Sequence, residues 1–89
     1  EAIIRTVARI AEDFEGIDIL VNNAGVSSFC GLDDPAYDDV WHRAIAVMLT
    51  AHQRMVRAAL PWLRRSDAAR IVNIASTEGL GATPGDTPY

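Results

Sequence analysis

The chain has 89 residues, 49% of them hydrophobic and 22% charged, with eight Lys or Arg against twelve Asp or Glu and a formal charge of −4. That balance excludes the basic footprint of a nucleic-acid-binding domain or of a protein drawn to anionic membranes. No stretch approaches the roughly 18 apolar residues of a membrane span. One cysteine cannot close an internal disulfide, so a reducing, cytoplasmic setting is expected. All the cationic side chains are Arg, and Lys is absent.

Residues 1–15 place Ile3, Val7, Ile10 and Phe14 on one helical face with Ile4 and Ala11 alongside, while Arg5, Arg9, Glu12 and Asp13 face away. No capping Ser, Thr or Asp precedes this helix, and Gly16 stands where a left-handed C-cap is wanted. Residues 17–21, Ile-Asp-Ile-Leu-Val, form a short apolar run that suits a strand covered on both faces, as in a parallel sheet. It ends in Asn22-Asn23-Ala24-Gly25, and residues 26–36 read as a loop. Asp34-Pro35 then starts a long helix: a capping carboxylate followed by Pro at the first helical position. Trp41, Ala44, Met48, Ala51, Met55 and Ala59 recur at helical spacing to about Leu63, with Pro61 in the last turn. A second covered strand is expected over 71–75, closed by Ser76-Thr77, and residues 79–88 form a Gly- and Pro-rich loop.

The order helix, strand, helix, strand, loop predicts α/β class, part of a Rossmann-type doubly wound parallel sheet. Both ends of the chain read as cut rather than finished, so residues 1–89 are expected to form the central part of a single, larger domain. In such sheets ligands bind beyond the carboxyl ends of the strands. Asn22-Asn23-Ala24-Gly25 follows one strand and Ser76-Thr77 the other, so parallel strands aim both at one crevice. Gly25 admits close backbone approach, and the Asn side chains offer donors and acceptors. Each residue also has a plain structural role open to it: a strand-ending turn for Asn22 to Gly25, backbone satisfaction for Ser76, half-buried packing for Tyr89. Together, the Ser76 hydroxyl and the Tyr89 phenol suit a site that orients a carbonyl and moves a proton at its oxygen.

Ile19-Leu20-Val21-Asn22-Asn23-Ala24-Gly25, then Ile71-Val72-Asn73-Ile74-Ala75-Ser76, then Tyr89 thirteen residues after Ser76, resemble the short-chain dehydrogenase/reductase family in its ordinary, non-extended branch. Asp18, Trp41 and Ala58-Ala59-Leu60-Pro61 resemble it too. The resemblance implies an NAD(P)-dependent oxidoreductase interconverting a secondary alcohol and a ketone. It gives Tyr89 the role of acid/base and Ser76 that of holding the substrate oxygen. It sets Asn22, Ala24 and Gly25 beside the adenosine side of NAD or NADP and Ile74 and Ala75 by the nicotinamide half, with Tyr89 also among the cofactor contacts. Val26, Ser27, Ser28, Thr77, Glu78 and Gly79 follow the two strand ends and, with Ser76, are the expected substrate contacts. An unperturbed phenol titrates near 10, so the family lowers that value with a Lys four residues beyond the Tyr. That position, the glycine-rich phosphate loop and the C-terminal part are expected outside residues 1–89.

Met48 departs from the family pattern, which usually places there an Asn that holds a water in a proton relay. Thioether sulfur accepts hydrogen bonds only weakly, and the apolar helix spacing reads Met48 as a core residue. His42 and His52 stand ten apart, and with the lone Cys30 they make no metal motif. Asp33, Asp34, Asp38 and Asp39 suit a solvated helix start. Two readings follow: an enzyme acting on a small-molecule alcohol or ketone, or a non-catalytic nucleotide-binding protein of the same family. Family analogy implies a homodimer or homotetramer, and neither nucleic acid nor membrane is an expected partner.

Overall fold

The computed structural model describes residues 1–89. The elements are α1 (Ala2–Asp13), β1 (Ile19–Asn22), α2 (Tyr37–Ile45), α3 (Ala51–Leu63) and β2 (Arg70–Asn73). A π turn over Ala46–Thr50 joins α2 to α3, and a 3-10 turn covers Thr77–Gly79. The strands form a two-stranded parallel sheet with Leu20 opposite Ile71 and Asn22 opposite Asn73. No helix is long and apolar enough to cross a membrane. Two compact units share the chain: Glu1–Asn23 with His52–Ile74, and Ala24–Ala51 with Ala75–Tyr89.

The first unit holds the apolar core, in which Val7 of α1, Leu20 of β1 and Ala59 and Leu63 of α3 are buried against one another. Ile3, Ile17, Met55 and Trp62 pack around them. The seam of α1 follows the i, i+4 row Ile3, Val7, Ala11, whereas Ile10 and Phe14 are exposed, contrary to the face expected from the sequence. An i, i+4 row drifts around the helix relative to a seven-residue repeat, and Ile3 and Val7 of that row are the ones that meet Leu20, Ala59 and Leu63. The end of α1 also differs from expectation. The Gly16 amide donates to Ala11 O at 2.9 Å, closing a six-to-one turn in which Glu15, at φ 61°, is the left-handed residue. Gly16 follows at φ 145°, which a side chain would disfavour.

Both strands are expected to be covered on two faces; neither is. In β1, Leu20 and Asn22 are buried while Ile19 and Val21 are exposed, and every residue of β2 is exposed. The core covers the Leu20 and Asn22 face of β1, whereas β2 is exposed on both faces. The sheet is tied at its entry, where Arg70 N–H donates to Asp18 O at 2.9 Å and the Ser66 hydroxyl donates to the Asp18 carboxylate at 2.5 Å. Beyond the last paired residues, the Ile74 amide still donates to Asn22 O at 3.0 Å.

In the second unit, the helix start expected at Asp34-Pro35 is a turn, and α2 proper begins at Tyr37. The Asp34 carboxylate accepts the Ala36 amide at 2.8 Å and its carbonyl accepts the Tyr37 amide at 2.9 Å, so the cap works one turn early. The single helix expected to Leu63 is interrupted by the π turn, where the Ala51 amide reaches Ala46 O five residues back. Helical periodicity does not reveal one extra residue in a turn. Helix α3 continues through Pro61.

Candidate functional site

Parallel pairing sets the carboxyl ends of β1 and β2 side by side, and each strand ends in Asn. The Asn22 amide nitrogen donates to Asn73 Oδ1 at 2.9 Å, and Asn22 is only 4% exposed. Asn22 therefore closes the sheet end from within the first unit. Its partner Asn73 belongs to the Ile71–Ser76 motif but has no role expected from the sequence. The signal was present, since Leu-Val-Asn and Ile-Val-Asn fall in the same register of the two strands. Ile74 follows β2 with its side chain half exposed.

Ala24, Gly25, Ala75, Ser76, Thr77, Glu78 and Tyr89 belong to the second unit. Ala24, Gly25 and Ala75 are exposed. Ser76 caps the 3-10 turn: its Oγ accepts the Glu78 amide at 3.2 Å. Acting as acceptor there, the hydroxyl keeps its proton free to donate elsewhere. The Glu78 carboxylate accepts the Thr83 hydroxyl at 2.5 Å, which braces the loop after the turn. Tyr89 is 48% exposed, and its amide donates to Asp86 O at 3.2 Å. No hydrogen bond joins Ser76 to Tyr89. Ser28 is buried and its hydroxyl leans on Val26 O at 3.5 Å, while Val26 is half-buried and Ser27 and Gly79 are exposed.

Two further bonds tie the loop that leads to Tyr89 back to the segment around α2. Cys30 N–H donates to Gly85 O at 2.8 Å, and the Tyr37 and Thr87 hydroxyls lie 2.8 Å apart. Fifty residues separate Tyr37 from Thr87, so no local pattern signals the contact. Met48 sits inside the π turn and is half-buried. Burial pushes the Cys30 thiol above its usual value, and Asp34 and then Asp33 push it further; it is held as a thiol rather than activated. His42 is exposed, whereas His52 is half-buried with Nε2 unpartnered.

A sequence profile of the short chain dehydrogenases matches residues 1–89. The chain is 41% identical over 83 residues to a D-beta-hydroxybutyrate dehydrogenase of Rhizobium meliloti, covering 93% of this chain and 32% of that protein. It is 40% identical over 87 residues to a D-beta-hydroxybutyrate dehydrogenase of Cupriavidus necator, covering 97% of this chain and 33% of that protein. A crystal structure of NAD+-bound xylitol dehydrogenase superposes with a TM-score of 0.85 at 32% identity, over 99% of this chain and 34% of that one. The chain thus spans about a third of the length of the relatives it matches.

Proposed function

The chain belongs to the short-chain dehydrogenase family, and from that premise we propose that the whole protein is an NAD- or NADP-dependent oxidoreductase that interconverts a small secondary alcohol and its ketone. The observation that carries this reading is the in-register parallel pairing of two Asn-ended strands. One strand leads into Ala24-Gly25 and the other into Ala75-Ser76, the places where a doubly wound sheet takes its ligands.

The residues present fit a dinucleotide. In the second unit Ala24, Gly25 and Ala75 are small and exposed; in the first, Ile74 is half exposed and the Asn22–Asn73 pair closes the sheet end. When bound, the nicotinamide supplies or takes up the hydride. Ser76 donates its free hydroxyl proton to the substrate oxygen and offsets negative charge that develops there. Tyr89 gives a proton to that oxygen in reduction and takes one in oxidation. Thr77 flanks Ser76 as a substrate contact; Glu78, engaged by Thr83, contributes through the shape of the loop. The relatives named for D-beta-hydroxybutyrate make 3-hydroxy acids the first substrates to try. A homodimer or homotetramer in a reducing cytoplasm completes the proposal.

Met48 favours a second reading, a family member that binds the nucleotide without turning it over. A thioether in the π turn does not anchor a water in a proton relay as an amide does. The test takes the whole protein, both reduced cofactors and a panel of ketones and 3-oxo acids. Oxidation of one cofactor with at least one of these ketones is expected. Cofactor binding without turnover across the panel selects the second reading, and absence of binding sinks both.

A further inference from the structure

We propose that the Tyr37–Thr87 hydrogen bond is a positioning contact that fixes the loop carrying Tyr89, so that Tyr37 and Thr87 set the rate of proton transfer without touching substrate. The inference rests on the reading of Tyr89 as acid/base.

The loop after the 3-10 turn has little apolar anchorage. Leu80 is 94% exposed, Gly81, Pro84 and Gly85 are exposed, and Pro88, next to Tyr89, is its one buried residue. Most of its hydrogen bonds are internal: Glu78 with Thr83, Asp86 N–H to Thr83 O, Tyr89 N–H to Asp86 O. Internal bonds shape a loop but do not place it. Within residues 1–89, two bonds tie it to the segment around α2, Cys30 N–H to Gly85 O and Tyr37 to Thr87, both at 2.8 Å. The first falls four residues before Tyr89 and holds the chain where Gly85 turns at φ 79°. The second falls two residues before Tyr89, within about 7 Å of chain.

Tyr37 suits that task because its own ring is held. It is half-buried in the first turn of α2 and stacks on Trp41, four residues along the helix, with centroids 6.5 Å apart and planes 23° apart. The hydroxyl is thus presented from a helix to a loop. Misplacing a reacting group by about 1 Å costs on the order of 100-fold in rate. Loss of one of two placing bonds is expected to act within that limit.

The test uses the whole protein. Tyr37→Phe keeps the ring and its stacking and removes only the hydroxyl; Thr87→Val removes the partner, and Thr87→Ser keeps it. Each of the first two is expected to lower kcat on the best ketone by about 10- to 100-fold, with the KM for cofactor unchanged. Thr87→Ser is expected to restore turnover, and the double variant to be no worse than either single one. Turnover unchanged in both single variants, or Thr87→Ser as impaired as Thr87→Val, overturns the proposal. If the unaltered protein turns over no substrate, the functional reading fails and amide hydrogen exchange decides the contact alone. Faster exchange at Cys30 and Tyr89 in Tyr37→Phe, by about tenfold, supports it; unchanged exchange there overturns it.

Discussion

The two units of the chain are held together by different forces. The first is built on burial: Val7, Leu20, Ala59 and Leu63 form its core, and α1, β1 and α3 each contribute to it. The second buries Ala44, Ser28 and Pro88 but has no comparable cluster, and its loops are placed by polar bonds from Cys30, Asp34 and Tyr37. Apolar packing is non-directional and fixes a scaffold cheaply; hydrogen bonds fix direction, which a proton donor needs. Ser76 and Tyr89 lie in the polar unit, and the Asn22–Asn73 pair that steadies the sheet end lies in the apolar one.

The contrast is broken most directly by paired truncations. Leu20→Ala in the core is expected to cost about 2–5 kcal/mol of stability in denaturant titration, whereas Leu80→Ala, at a side chain 94% exposed within residues 1–89, is expected to stay within about 0.5 kcal/mol. Equal costs would mean that the core does not lie where the first unit places it. Asn22→Ala sharpens the role of the sheet-end pair. It removes a buried partner, but exposed Asn73 regains its bond from water, so a loss of about 1–2 kcal/mol is expected rather than the full penalty of a buried orphan. No measurable loss would show that the pair does not hold the sheet end.

The smallest effect concerns Cys30. Its thiol titrates above its usual value because burial and then the Asp34 and Asp33 carboxylates disfavour the thiolate. Alkylation should therefore lag behind that of a free thiol at neutral pH and accelerate only as pH rises past the free-thiol range. Asp34→Asn removes one negative charge while keeping a capping oxygen, which lowers the thiol's titration point and raises the alkylation rate at fixed pH. An unchanged or slower rate would contradict the assigned cause.

Much of the fold was legible in the sequence, because apolar spacing reports faces directly. Ile3 and Val7 marked α1, the run to Val21 marked β1, and Asp34-Pro35 marked the approach to α2. What escaped depends on neighbours rather than on spacing. The apolar runs at 19–21 and 71–72 read as doubly covered, yet cover depends on which elements lie against the sheet, and within residues 1–89 only Leu20 and Asn22 of the two strands are buried. Glu15 is left-handed because the Gly16 amide reaches Ala11, so the preference of that conformation for Gly pointed one residue too far along. The π turn adds a residue within a pattern still periodic on either side. Of the candidate site, Asn22, Ser76 and Tyr89 stood out because motif spacing carries them. Tyr37 and Thr87 did not, since fifty residues of chain separate a bond that only the folded unit makes.

The most direct test of the account is Tyr89→Phe in the whole protein, with turnover and cofactor binding measured on the same preparation. Loss of kcat by about 10²- to 10⁴-fold with unchanged cofactor affinity is the predicted result. Turnover within about threefold of the unaltered protein, well short of the general acid/base contribution, would contradict the assignment of Tyr89 as the proton-transfer residue.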